Sequence, residues 1–317
     1  VGRNPQRLHR GRQMSGDNNS NSSETAADHS ERRDRSGSVR SLGYGLFDRD
    51  YANTLATTAP DDDGPLWMVN LMSYREVAAY EDGRASGITG READNLYSPK
   101  DVLTEVGAEI VFVADVDTQL LGDSPRWDRV GVVKYATRRS FIEMQSRRDF
   151  KDKVVHKHAG MESTIVCGCV PIPTPQLPAG MSEVDWADVA HPPTADDGAV
   201  VVLHFLRFAT DPADAGSSDI TPAEMEAYQN AAGAAAVPHG VRIDAWFAVE
   251  GTIVGDGRTW DQVRFNEFPS KAAFMAVATD PARLEAQHAH REPAIADTYT
   301  MILRPKINHL AASLATP

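Results

Sequence analysis

Two histidines one residue apart, His156 and His158, are the clearest candidates for chemistry in this sequence. An imidazole titrates near neutrality, so it can take and return a proton at one pH. The competing reading places both in an exposed turn before a strand. With Glu162 as the nearest third ligand they make a weak metal set, and no metal is expected. Asn70 stands in an apolar run, MVNL, where a polar side chain either finds a hydrogen-bond partner or lines a pocket. His204 holds the equivalent place in VVVLHFLRF, and Tyr97 and Tyr228 occupy corresponding helical stretches, where each reads as core or as catalyst. His290 and Arg291 take the places of His156 and Lys157 when one residue is inserted in the second stretch. Arg264 and Asn266 lie on the polar face of a strand whose other face carries Val263 and Phe265. Cys167 and Cys169 read as small buried residues, since an i, i+2 pair on a strand is poorly placed for a disulfide.

These residues recur because the chain repeats itself. The stretch from Gly107 to about Arg148 matches that from Gly240 to about Pro281 without a gap, pairing Ile110 with Ile243, Trp127-Asp128 with Trp260-Asp261 and Phe141 with Phe274. A repeat sets the size of the folding unit, here a domain of ordinary size. Each copy opens on an apolar strand-forming run and continues through a helix, two strands, a second helix and a last strand. The order is β-α-β-β-α-β, the ferredoxin-like arrangement. In the first copy the helical stretch GREADNLYSPKDVLTEVG is interrupted at Pro99, and Thr137 and Ser270 are matching N-caps of the second helices. Thr221-Pro222-Ala223-Glu224 has the form of a capping box. Trp-Asp recurs in both hairpins and reads as structural.

Residues 1–60 read as a disordered tail, polar and without periodicity, although the aromatic cluster within Ser41–Leu55 suggests a segment that docks on the body. Met14 is the expected true start. Residues 61–170 form the first repeat, 171–198 a Pro-rich linker, 199–310 the second repeat and 311–317 a short C-terminal tail. The net charge of −13 and the lack of a basic stripe in the repeats argue against nucleic acid as a partner. No apolar run reaches transmembrane length and the N-terminus lacks a signal-peptide core, so a cytoplasmic protein with no membrane partner is expected. Phosphate-loop, nucleophile-elbow and HExxH signatures are absent.

The opening strand Met68–Leu71, the loop and helix start Gly83–Tyr97, the hairpin Leu120–Asp128 and the segment His156–Thr164 together resemble the dimeric α/β-barrel superfamily, in a poorly characterised branch near the antibiotic-biosynthesis monooxygenases. The resemblance covers both repeats and none of the tail. It implies an α+β fold in which two ferredoxin-like repeats form an intramolecular dimeric α/β barrel, a pseudo-dimer able to associate further as a homodimer. It also implies a pocket between sheet and helices, within reach of both imidazoles. In this frame His156 is the proton-transfer group, with His158, Tyr97 and Asn70 completing the catalytic set. His204, Arg264, Asn266, His290, Arg291 and Tyr228 form the substrate-binding set. Arg264 would meet a carboxylate or enolate if its strand face points into the barrel. The implied function is a small-molecule enzyme without a bound organic cofactor, doing acid–base (isomerase- or cyclase-like) or monooxygenase-like chemistry on a hydrophobic or aromatic molecule. The alternatives are a ligand-binding protein without turnover and a haem protein with one axial histidine.

Overall fold

Side-chain alternation sorts each long strand into two faces, and the more apolar face is the one the fold buries completely. The computed structural model describes residues 39–177, 180–210 and 220–315. Its first elements are β1 (Val39–Ser41), β2 (Leu46–Asp48) and α1 (Arg49–Thr57). Then come β3 (Leu66–Tyr74), α2 (Gly90–Tyr97), α3 (Lys100–Glu105), β4 (Glu109–Leu121), β5 (Arg129–Tyr135), α4 (Arg138–Ser146), α5 (Arg148–Gly160) and β6 (Met161–Pro171). The later part of the chain supplies β7 (Val200–Phe208), α6 (Ala223–Ala236), β8 (Arg242–Gly255), β9 (Gln262–Phe268), α7 (Lys271–Ala278) and α8 (Pro281–Ala286). A π-helical turn over Gln287–Arg291, β10 (Ile295–Asn308) and a short helix Leu310–Leu314 complete it.

Eight strands run antiparallel in the order β8-β6-β3-β5-β4-β10-β7-β9, and β9 pairs with β8 to close the ring. Closure leaves no unpaired edge in the ring. The two seams between the halves are β6–β8, from Val166 opposite Val254 to Pro171 opposite Phe247, and β4–β10, from Leu121 opposite Thr300 to Phe112 opposite Asn308. Inside, Val69, Leu71, Val130 and Val132 meet Leu203, Phe205, Val263 and Phe265, all fully buried. Eight strands enclose a space that side chains just fill, so the interior is a packed core shared by both halves. Both cysteines lie in this core, where burial pushes the Cys167 thiol up to about 12. Asp128 and Asp261 do the same job in the two halves: each accepts from the end of its half's first strand, at Tyr74 N (2.8 Å) and Phe208 N (2.6 Å).

Several expectations change in the structure. The condition set for Arg264 is not met: Val263 and Phe265 take the interior, and Arg264 and Asn266 face the helices. His156 and His158 lie within α5, not in a turn or strand, because that helix runs to Gly160 and packs there against Gly90 so closely that neither glycine has room for a Cβ. Residues 39–57, read as part of the tail, are ordered on the barrel's outer wall. Tyr51 lies against Gly168 and Gly251, which face each other across β6 and β8, and donates to Glu250 Oε1 at 3.1 Å. Residues 1–38, with the expected start at Met14, lie outside the described residues, as does the segment 211–219. At the other end Leu310 and Ser313 are buried, and Ser313 Oγ accepts from Trp67 Nε1 at 2.9 Å. Thr137 and Ser270 cap α4 and α7 as expected, and Pro99 separates α2 from α3. Helix α6 begins at Ala223 after Pro222, and the Thr221 hydroxyl accepts from Gln262 Nε2 at 2.9 Å. Among the described residues no helix is long and apolar enough to cross a membrane.

Candidate functional site

Burying Trp67, Val69 and Leu71 in the barrel turns Met68, Asn70 and Met72 outward, under the helices. There they meet Gly131, Val133 and Tyr135 of β5, Tyr97 of α2, and Phe141 and Met144 of α4 around a cavity of about 650 Å³. Leu42, Tyr44 and Phe47 of the docked N-terminal segment close one side. The volume lies in the range of small-molecule sites, and the walls are mainly apolar with few polar groups.

Those polar groups converge from three elements. Asn70 Nδ2 donates to Met68 O at 2.9 Å, and its Oδ1 takes no donor among the described residues. From α5 come Lys157 and His158, both lining the cavity. The Lys157 ammonium stands 5.5 Å from the Tyr97 ring centroid and has no hydrogen bond or ion pair among the described residues. Burial lowers its pKa, with Asp94 pulling the other way. His158 packs on Tyr44 with ring centroids 5.4 Å apart; burial lowers its pKa, so the neutral, proton-accepting imidazole is favoured. Burial raises the Tyr97 phenol well above its ordinary value, and the ring packs edge-on to Phe150. At the rim, Asp94 accepts from Tyr74 Oη (2.6 Å) and from Arg129 Nη1 (3.0 Å), a closed ion pair.

His156 does not line this cavity. Its Nδ1 lies 2.8 Å from Tyr80 Oη, and Arg84 stacks over that tyrosine. Helical geometry separates the two histidines, because residues i and i+2 of a helix point in different directions.

The second half builds the corresponding space from β7, β9 and α6–α8. His204, Tyr228, Arg264, Asn266 and Arg291 all line it, whereas His290 turns away and lies 2.6 Å from Glu224 Oε2. The volume is only about 140 Å³. The cross-strand pairs account for much of that difference: Asn70 faces Gly131 in the first half, and His204 faces Arg264 in the second. A glycine leaves the first space open; an arginine fills the second. Arg264 Nε donates to Gln262 Oε1 at 2.8 Å, and its guanidinium lies 4.2 Å from the Trp246 ring centroid. Asn266 Oδ1 accepts from Trp246 Nε1 at 2.9 Å. Tyr228 Oη accepts from Arg283 at 3.0 and 3.2 Å. His204 Nδ1 lies 3.2 Å from Thr300 Oγ1, and burial, reinforced by the nearby arginines, holds its pKa well below the usual range.

Lys157, Arg129 with Asp94, and Tyr44 are site residues that sequence reasoning did not single out. The signal for Lys157 was present, since it aligns with Arg291. Among the described residues no cluster of three or more His, Cys, Asp or Glu is arranged to hold a metal ion.

No family model matches the chain, and no curated protein matches its sequence. Among solved structures, the chain is similar to a protein of unknown function from Rhodopseudomonas palustris, 28% identical over 36% of this chain and 88% of that one, with a TM-score of 0.33. It is also similar to a monooxygenase candidate from Lactobacillus acidophilus, 8% identical over 78% of this chain and 97% of that one, TM-score 0.40. A mutant chlorite dismutase from Candidatus Nitrospira defluvii is 13% identical over 80% of this chain and 95% of that one, TM-score 0.42.

Proposed function

We propose that the chain is a small-molecule enzyme whose working site is the larger cavity, and that its halves are diverged ferredoxin-like copies of which the first keeps the chemistry. The reaction class is proton transfer on a hydrophobic or aromatic molecule. The observation that carries this reading is that Lys157, whose ammonium has no partner among the described residues, and the imidazole of His158 both line an apolar cavity of about 650 Å³.

The chemistry follows from the two environments. A neutral His158 accepts a proton from an acidic C–H or a phenolic O–H. The anion that forms lies beside the Lys157 ammonium, in surroundings where a fixed charge acts more strongly than in water. Asn70 supplies a free carbonyl oxygen that orients a substrate hydroxyl, and Tyr97, Phe141 and Tyr135 hold the apolar body. Proton transfer therefore falls to His158, while His156 stays with Tyr80. Isomerisation returns the proton at another carbon; oxygenation starts from the same anion, with one atom of dioxygen forming a carbonyl at the reacting CH2 carbon and the other leaving as water with its two hydrogens.

A suitable probe is 1-naphthol, a fused aromatic ring with an ionisable hydroxyl and a distinct naphtholate spectrum. The expected result is saturable binding to the full chain, with a larger naphtholate fraction than in buffer at the same pH. Lys157→Met should abolish that spectral shift while leaving affinity within about tenfold, because the apolar walls carry most of the contact. Equal binding by a Met68→Trp variant, which fills the cavity, would place the ligand elsewhere and defeat the proposal.

A further inference from the structure

The smaller cavity contains an unbalanced charge. Arg264 and Arg291 both line it, and they are only 4% and 5% exposed. Among the described residues, neither forms an ion pair with a carboxylate. Arg264 reaches the neutral Gln262 Oε1, and Arg291 reaches Thr298 Oγ1 at 3.4 Å. Glu292, whose charge Arg291 feels, is exposed and lies 2.9 Å from His288 Nδ1. Arg283, the third arginine of the cavity, donates to Tyr228 and to Ala278 O. Three other sheltered arginines do pair with acids, Arg129 with Asp94, Arg138 with Glu250 and Arg258 with Asp297.

A buried guanidinium without a counter-charge is costly, and arginine seldom escapes the cost by losing its proton. Burial and the neighbouring Arg291 drag Arg264 down to about 9, so its charge is held at a cost. His204, opposite Arg264 in the β7–β9 ladder, adds no charge at neutral pH, because burial and these arginines hold its pKa well below the usual range. Among the described residues Arg264 Nη1 and Arg291 Nε and Nη1 have no hydrogen-bond acceptor.

The local backbone serves this arrangement. Arg291 ends a π-helical turn, Gln287–Arg291, at the place where the second half carries one more residue than the first. A helix absorbs an extra residue by widening to i→i+5 bonding, and such turns recur at functional sites. Much of the remaining lining is apolar, among it Leu206, Met225, Phe268 and Phe274, with Gln229, Tyr228 and Asn266 as further polar members. At about 140 Å³ the cavity is close to the ~150 Å³ apolar cavity that accepts a benzene ring.

We propose that the space between β7, β9 and α6–α8 is a second ligand site, distinct from the larger cavity, which binds a monocarboxylate carried on a single ring or a short apolar chain. The carboxylate lies between Arg264 and Arg291, and the apolar body packs against Leu206, Met225 and Phe274. Inorganic phosphate would satisfy the charge but leave the apolar walls empty.

Calorimetric titration of the full chain with benzoate at pH 7 tests this, with benzamide and inorganic phosphate as the neutral and the purely anionic controls. The expected result is one saturable benzoate site, no measurable benzamide binding and weaker phosphate binding. Arg264→Met and Arg291→Met should each weaken benzoate at least about tenfold, the scale of one lost charge-assisted hydrogen bond. Met68→Trp, in the other cavity, should leave benzoate binding unchanged. In the absence of benzoate, Arg264→Met should also raise the melting temperature, because it removes an unpaired buried charge; a merely structural arginine would lower it. Absence of saturable benzoate binding, equal affinity for benzamide, or retention of binding in both arginine variants would overturn the proposal. Should Arg264→Met fail to fold, the comparison of benzoate with benzamide on the unaltered chain still decides.

Discussion

His204 shows how one buried side chain ties the molecule to pH. Its folded pKa is depressed, so as pH falls through about 6.5, the ordinary histidine value, the unfolded chain takes up a proton before the folded one does. Its effect on stability is nil above that range, and stability is lost as pH drops below it, by about 1.4 kcal/mol per pH unit until the folded histidine titrates. Urea unfolding at pH 7.5, 6.5 and 5.5 should show this decline, and His204→Asn, which installs the residue the first half uses at this place, should flatten it by one proton's worth. An identical pH slope in the variant would remove His204 as the cause. The same scale shows how much of the site was legible. Strand alternation and the repeat paired Asn70 with His204 and put Arg264 and Asn266 on one strand face, but they did not say whether that face meets the barrel interior or the helices. His156 and His158 were not separable, since a strand or turn sends i and i+2 to one side and a helix sends them apart. Lys157 between two histidines reads as a solvated charge until α5 is seen to turn it under α2.

Docking of the N-terminal segment belongs to the level of elements. Gly168 and Gly251 leave a flat slot on the outer wall across the β6–β8 seam, and a Cβ at either would overlap Tyr51. From there β2, paired with β8, and the loop before it cover one side of the larger cavity. Nothing near residue 51 in the sequence announces this, because the complementary surface lies more than a hundred residues away and consists of two missing side chains. The aromatic cluster was a hint of docking; the slot was invisible. Gly251→Val should expel the tyrosine ring, destabilise the fold by about 1–3 kcal/mol as overpacking does, and expose the segment around Arg49 to trypsin. Tyr51→Ala should do much the same. The double variant should cost little more than either single change, since both abolish one contact. Full additivity would mean that the slot and the ring act independently.

For the molecule as a whole, the two halves expected from the repeat share one closed sheet. Each half supplies four adjacent strands, but neither half's inner face is covered until the β4–β10 and β6–β8 seams close. Val69 and Val132 of the first half share their core with Phe205 and Phe265 of the second, so removing one half would expose the apolar interior of the other. The short helix Leu310–Leu314 adds a further tie. Although it follows the last strand of the second half, Ser313 Oγ accepts from Trp67 of the first, Ser313 O accepts from Lys134 Nζ at 2.9 Å, and Leu310 is fully buried in the common core. The halves should therefore unfold together. Fluorescence of two variants, one retaining only Trp67 and the other only Trp260, should give coincident urea transitions. Leu310→Ala, which opens a cavity at the point where the halves meet, should cost about 2–5 kcal/mol and shift both curves by the same amount. If the Trp67 curve moved and the Trp260 curve stayed, the halves would be separate folding units joined only by a linker, and the closed ring would not be what stabilises them.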